Sequence, residues 1–340
     1  MSNPTAKVIA HSISSITGQE IITFELEFWR GVLAEFNTHN ALSKNTSSSR
    51  AIPVPSMNAK ILSDIGMPYR FGKQNTGMQD LGEHDAPVFV GGIEMSAREA
   101  WTAAIETMVM FSEAFHEAGY AKQVCNRLTE CGQTSKVVMT ATDLDNFYWL
   151  RDHYMADPTI EALGKAIKAA HEASVPVTLK PGDWHTPYYG DGFWKKAPRS
   201  FSERSLTRVD SSGVALEDAL AISASCCAQA SYRKLDDTLE KAKGVVARLN
   251  LGVDLTEPCH ASPTEHQATP IAKTEYYMRE TSLGSNKSSM FHINDPEFPD
   301  TWQKGITHVT RDGRFGSGNL KSFIQYRQLI PGNVYTGGSK

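Results

Sequence analysis

EIITFELEFWRGVLAEFNTHNALSKNTSSSRAIP, Glu20 to Pro53, carries three patterns in succession. Ile22, Phe24, Leu26 and Phe28 alternate with Thr23, Glu25 and Glu27, which is the period of a half-buried strand. Gly31 to His39 then turns helical. From His39 to Pro53, fifteen residues hold one imidazole, two amides, five hydroxyls and a single arginine, with little apolar content. A serine-rich run by itself is ordinarily a flexible linker. This one follows an amphipathic strand and helix directly and includes an arginine whose planar fork can grip a phosphate, so it reads as a loop that holds a polar ligand.

Strands and helices alternate along the rest of the chain, without an internal repeat. Ser96 and Glu99 form a capping box ahead of a long amphipathic helix with Trp101, Ile105, Met108 and Phe115 inward, stopped by Gly119. Asp157 and Pro158 open another helix with Ile160, Leu163 and Ile167 on one face. Between Val177 and Val214 the composition shifts to Pro, Gly, aromatic and basic residues without a clear period, which reads as a long insertion or lid. After the turn at Gly313 to Gly318, the run Leu320 to Ile330 reads as a last strand in the same sheet, and the tail after Pro331 as frayed.

With 340 residues and 40% hydrophobic content the chain can bury a substantial core. A net charge of -4 excludes the basic footprint of a protein that binds long nucleic acid; Lys195, Lys196, Arg199, Arg204 and Arg208 form an interrupted cluster that reads as a solvated loop. No apolar run approaches the roughly 20 residues that span a bilayer, and the N-terminus lacks the features of a secretory leader, so a cytoplasmic location is expected. Cys125, Cys131, Cys226, Cys227 and Cys259 are odd in number and lack C-x-x-C spacing, which points to reduced thiols. His260, Glu265 and His266 lack the helical i, i+4 histidine pairing of zinc hydrolases, so no metal is assigned to them.

Four segments together resemble one family. The spacing of His39, Ser43, Asn45, Ser48 and Arg50 is similar to the R-H-R-x-x-S-x-N-E-x-S-x-R-Y signature of the flavin-dependent thymidylate synthases. DNFYWLR, Asp145 to Arg151, resembles that family's N-F-x-x-L-R element, and HASPTEH, His260 to His266, resembles its H-x-S-P-F-E-H element. SCCAQASY, Ser225 to Tyr232, is similar to its A-A-R-V-S-Y strand. In the usual member the H-x-S-P-F-E-H element comes before the R-H-R element, whereas here it comes more than two hundred residues after it. The order resembles that of a circularly permuted, phage-type member, a rearrangement that folded chains tolerate where their termini lie close together.

The resemblance implies a single α/β domain (α+β) over residues 1–335, a mostly antiparallel sheet wrapped by helices, with 177–214 inserted in it. It implies FAD- and folate-dependent C5 methylation of a pyrimidine deoxynucleotide, by default dUMP to dTMP, with NADPH reducing the flavin and 5,10-methylenetetrahydrofolate giving the carbon. Arg151 would pair with the pyrimidine edge and stabilise charge on the ring; Ser48 would lie beside the pyrimidine. Arg50 would hold the phosphate, helped by Arg127 in AKQVCNRLTE, where a strict alignment puts Asn126. His39, Asn45, Asn146, Ser262, Glu265 and His266 would contact FAD. A homotetramer with sites between subunits is the family's usual assembly.

The departures are specific. Thr38 and Asn40 stand where the family has arginines, Thr46 replaces a glutamate and Ala51 a tyrosine, with Lys44 a possible substitute for the missing charge. A shifted substrate or product, hydroxymethylation or methylation of dUMP or dCMP for modified DNA precursors, stays open, as does a non-catalytic nucleotide-binding relative. Cys226 and Cys227 lie in an alanine-rich setting that suits packing better than nucleophilic attack.

Overall fold

The alternating segment becomes the middle of the main sheet. In the computed structural model, which describes residues 3–77, 79–198, 208–230, 235–273, 275–279 and 289–335, β1 (Thr5–Ser14) and β2 (Glu20–Trp29) pair antiparallel. A short helix α1 (Leu33–Asn37) leads to β3 (Ser43–Thr46), α2 (Val54–Ser63), a small hairpin of β4 (Val88–Val90) and β5 (Ile93–Met95), then α3 (Ala97–Glu117) and α4 (Lys122–Leu128). β6 (Thr134–Ala141) returns beside β2, in register from Ile22↔Ala141 to Trp29↔Thr134. α5 (Asp145–Arg151) and α6 (Pro158–Glu172) follow, and β7 (Val177–Leu179) joins β1 in parallel. The sheet order is β3-β6-β2-β1-β7, antiparallel except at that last edge.

A second sheet lies against the first. β8 (Trp184–His185) and β9 (Phe193–Trp194) precede the helices α7 (Leu216–Ala228) and α8 (Leu239–Arg248). β10 (Ala268–Pro270) joins them in the order β16-β10-β8-β9, with β16 spanning Phe323–Gln325. Smaller pairings join β11 (Glu275–Arg279) to β12 (Ser289–Ile293), and β13 (His308–Val309) to β14 (Phe315–Ser317) and β15 (Leu320–Lys321). The fold is thus α/β with mostly antiparallel sheets. Among the described residues no helix is long and apolar enough to cross a membrane.

β2 departs from a half-buried strand over its first half. Ile22, Phe24, Leu26 and Phe28 pack under α6 with Ile160, Leu163 and Ile167, as their spacing predicts. Ile21 on the opposite face is also buried, against Ala268 and Phe323 of the second sheet and Leu320 of β15, and Thr23 is buried beside it. Between Ile21 and Phe28, Glu25 and Glu27 keep partial contact with solvent.

The helix starts follow their signals: Ser96 and Glu99 make both bonds of the capping box, and Asp157 caps α6 ahead of Pro158. Gly119 takes φ 85° just past the end of α3, where a left-handed residue ends a helix. The inward stripe of α3 is rotated from expectation. Ile105, Val109 and Ser112 are buried while Met108 is exposed and Phe115 half-buried, because α2 with Met57 and Ile61 covers that side.

Three other readings change. Ser225–Ala228 ends a helix instead of forming a strand, because its small side chains let α7 pack closely on β6, with Cys227 in contact with Val138; Ser231 and Tyr232 lie outside the described residues. Leu320–Ile330 is broken at Ser322, which takes φ 62°, and its strand β16 belongs to the second sheet, not the main one. Over its described residues, 177–214 is built into both sheets and anchored by buried Trp184 and Trp194, so it does not lie over the surface as a lid; Arg199 and Arg204 fall outside the described residues.

Leu163 is fully buried at the centre of the α6 contact. Leu163→Ala is expected to lower unfolding free energy by about 2–5 kcal/mol in urea titrations. Met110→Ala, on the exposed side of α3, should change it by less than about 0.5 kcal/mol.

Candidate active site

The edge strand β3 organises the site, because it pairs only with β6 and carries the polar loop at both of its ends. Before it, a turn closed by Leu42 N–H donating to His39 O at 3.3 Å presents the His39 ring. Arg151, in the last turn of α5, donates Nε–H to His39 Nε2 at 2.8 Å, so that nitrogen accepts and the neutral ring carries its proton on Nδ1. The ring meets Phe147 edge-on at 5.0 Å. Burial first, then the Arg151 and Lys44 cations, hold the His39 pKa down to about 4.

Arg151 is half-buried, and among the described residues no carboxylate pairs with it. The adjacent Asp152 instead accepts from Lys168 at 3.0 Å. Lys44 Nζ donates to the His39 and Asn37 carbonyls at 2.8 and 3.2 Å. Burial pushes its amine below the ordinary value, and Glu265 pulls it back.

A groove of about 470 Å³ opens beside this cluster, lined by Asn37, Asn40, Lys44, Glu265, Asn319 and Arg327. Glu265 ends a 3-10 turn, Ser262–Glu265, and pairs with Arg327. Gln325 Nε2 donates to Glu265 O at 3.1 Å and to Asn319 Oδ1 at 2.9 Å, and Ser43 Oγ donates to the same Asn319 oxygen at 3.0 Å. The HASPTEH segment therefore sits against the start of β3 although more than two hundred residues separate them.

His266 lies deeper. Its Nδ1 is 2.8 Å from Thr140 Oγ1, Thr140 bonds Thr23 at 2.6 Å, Thr23 meets His185 Nε2 at 2.8 Å, and His185 Nδ1 meets Ser12 Oγ at 3.0 Å. Burial pushes both imidazoles down to about 3, so both are neutral at physiological pH. His266 Nε2 is buried without a hydrogen-bond partner among the described residues.

Beyond the far end of β3 lies the serine loop. Ser47 is fastened to Lys136 by N–H to O at 2.8 Å and by its Oγ accepting from Lys136 N at 3.2 Å. Ser48 is half-buried and accepts from Arg50 N at 3.3 Å, while the Arg50 side chain is exposed. Asn126 is buried and donates to Ser49 O and Ile52 O at 2.8 and 2.9 Å, which fixes the loop, whereas its neighbour Arg127 is exposed. A second cavity of about 470 Å³ runs beside the loop, with Ser47, Lys60 and Lys136 in its wall.

The structure thus brings His39 and Arg151 into contact, and Lys44 and Glu265 into one groove with them nearby. Ser48 and Arg50 stand apart, at the other end of a strand that rises about 3.3 Å per residue. Asn45 donates to Cys227 O at 3.3 Å, which ties β3 to α7. Asn146 and Ser262 are exposed. Asn319, Gln325 and Arg327 are not legible as site residues; the only signal is the polar Gln325 and Arg327 inside the run Leu320 to Ile330 read as a strand. Burial pushes the Cys226 thiol up to about 12 and the Cys227 thiol well above its ordinary value, so neither supplies a thiolate.

Part of this chain is similar to part of two solved proteins. The UMP/dUMP methylase PolB from Streptomyces cacaoi, bound with 5-Br UMP, is 16% identical, with a TM-score of 0.40 over 50% of this chain and 89% of that one. Flavin-dependent thymidylate synthase ThyX from Helicobacter pylori, complexed with FAD and dUMP, is 18% identical, with a TM-score of 0.29 over 44% of this chain and 67% of that one. No protein-family model matches the sequence, and no curated protein matches it.

Two titrations follow from this geometry. Removing the charge in Arg151→Gln is expected to raise the His39 pKa from about 4 toward the ordinary 6.5, measured by NMR; no rise would mean that the cation does not act on the ring. His39, His185 and His266 are all depressed, so the folded chain binds fewer protons than the unfolded one. Stability is therefore full above pH 6.5 and falls between 6.5 and about 3, so denaturant midpoints should drop between pH 7 and pH 4.5.

Proposed function

We propose that this chain methylates carbon 5 of a pyrimidine deoxynucleotide monophosphate in a flavin-dependent reaction, with dUMP as default substrate and dTMP as product. The observation that carries the reading is Arg151: a half-buried cation without a carboxylate partner among the described residues, bonded to a neutral imidazole and set among residues that match the family signature.

The groove suits FAD on two counts. Its volume falls in the roughly 300–1,000 Å³ of small-molecule sites, and Lys44 and Arg327 supply cations that the chain lacks at Thr38 and Asn40. Thr38 itself is turned away, its hydroxyl donating to Glu35 O at 2.7 Å. Lys44, Arg327, Asn40 and Asn319 would hold the diphosphate and ribose groups, with His266 and Asn45 nearer the ring. When bound, FAD recharged by NADPH supplies reducing equivalents, and methylenetetrahydrofolate supplies the carbon.

This chain's own residues bind and polarise the substrate. Nε of Arg151 is held by His39, so the Nη groups remain to face the pyrimidine edge and stabilise the negative charge that builds on the ring. His39 stays neutral down to about pH 4 and so accepts from Arg151 without adding a competing charge. Ser48 lies beside the pyrimidine, and Arg50 and Arg127 hold its phosphate. Because these side chains sit away from Arg151 and are exposed or half-buried, a site shared between subunits of a homo-oligomer, a tetramer by resemblance, would unite them.

Incubation with FAD, NADPH, methylenetetrahydrofolate and either dUMP or dCMP, followed by mass analysis, tests the reading. A methyl gain on dUMP is expected, with Arg151→Ala about 10²–10³-fold slower. A hydroxymethyl gain or turnover of dCMP would shift the product or base. Failure to take up FAD together with no product would leave a nucleotide-binding protein and end the catalytic reading.

A further inference from the structure

On the other side of α5, three side chains from distant parts of the chain aim at one point. His11 on β1 and His171 in the last turn of α6 place Nε2 at 3.5 and 3.2 Å from the same oxygen, Oε2 of Glu20 at the start of β2. The three atoms lie within 4.8 Å of one another. The His11 side chain is 4% exposed, and its Nε2 is buried without a hydrogen-bond partner among the described residues.

We propose that His11, Glu20 and His171 bind a divalent transition-metal ion of the zinc class. Two imidazoles and a carboxylate are the borderline donor set such ions favour. Bonds of about 2.0–2.2 Å to a tetrahedral ion put neighbouring donors about 3.4 Å apart, which the two measured spacings to Glu20 bracket. Both rings are already oriented for coordination through Nε2. His11 Nδ1 lies 3.0 Å from Ser174 Oγ and His171 Nδ1 3.0 Å from Tyr148 OH, which are the outer-shell bonds that hold a metal-ligating histidine.

The site is accessible from one side. The Glu20 side chain is 41% exposed, and a cavity of about 290 Å³ that includes Gln19, Thr142 and Asp143 borders Glu20 and His171, leaving room for water as a fourth ligand. A hydrogen-bonded His-Glu-His relay without metal accounts less well for His11, whose Nε2 stands 3.5 Å from Glu20 Oε2, at the outer limit of a hydrogen bond. The ion would clasp β1, β2 and α6 together. Its outer shell includes Tyr148 on α5, one turn before Arg151, and α5 rests on α6 so closely that a Cβ at Gly164 would come 3.2 Å from the Arg151 carbonyl carbon.

Untagged full-length protein, stripped with chelator and exchanged into chelator-free buffer, should be titrated with Co²⁺ alone and followed by visible d–d absorption, then displaced with Zn²⁺. One ion per chain is expected, with the signal lost in Glu20→Gln and in His171→Ala. Tyr148→Phe, which keeps every ligand, should weaken affinity about 10–100-fold, and circular dichroism should show all three variants folded. No cobalt absorption in the parent protein overturns the proposal. So does a signal that survives undiminished in both ligand variants.

Discussion

Burying both faces of β2 is the constraint on which this structure depends. One face is satisfied by apolar packing under α6, but the other presents Thr23 to the second sheet, where a hydroxyl without a partner would cost about 1–3 kcal/mol. The chain meets this by lining up Ser12, His185, Thr23, Thr140 and His266 into one buried hydrogen-bonded series that crosses from sheet to sheet. Burial keeps both rings neutral, and a neutral ring has one donor and one acceptor nitrogen, which lets the series run in a single direction. Its end at His266 Nε2 is the one member without a partner among the described residues, next to the turn that lines the groove.

The same economy governs charge around β3. Arg151 and Lys44 flank His39, and burial would make a third positive charge between them expensive, so the ring stays unprotonated and serves as the acceptor that fixes the guanidinium. A cation held by a neutral acceptor keeps its full charge, whereas one locked to a carboxylate, as Arg327 is to Glu265, has much of its field cancelled nearby. The difference sets Arg151 apart from Arg327 in the neighbouring groove.

What was legible in the sequence follows from how local each signal is. The strand at Ile22 to Phe28, the Ser96–Glu99 box and the Asp157–Pro158 start depend on residues a few positions apart and form as read, although the second sheet also buries the other face of the first half of β2. Which side of α3 turns inward depends on α2, so Met108 and Val109 exchange places relative to expectation. Strands of two or three residues, such as Trp184–His185, are too short to show a period and exist because β10 pairs with them. His39 and Arg151 each fall inside a dense motif and could be singled out separately, but their contact could not. Arg327 was not legible, and the convergence of positions 11, 20 and 171 is set by topology alone.

Thr38 and Asn40 carry no charge, and the cations near them come from elsewhere in the chain. An anion responds to potential at its own position, irrespective of which part of the chain supplies the cations. Thr38 has turned its hydroxyl into the end of α1, and Asn40 has become a neutral wall of the groove, yet Lys44 from β3 and Arg327 from beyond β16 face the same space. Counting Arg151, three cations stand against the single carboxylate of Glu265 among these residues, so the local field is positive although the whole chain is acidic. The positive field of this groove therefore comes from Lys44 within the polar segment and from Arg327 in the turn after β16, far away in sequence.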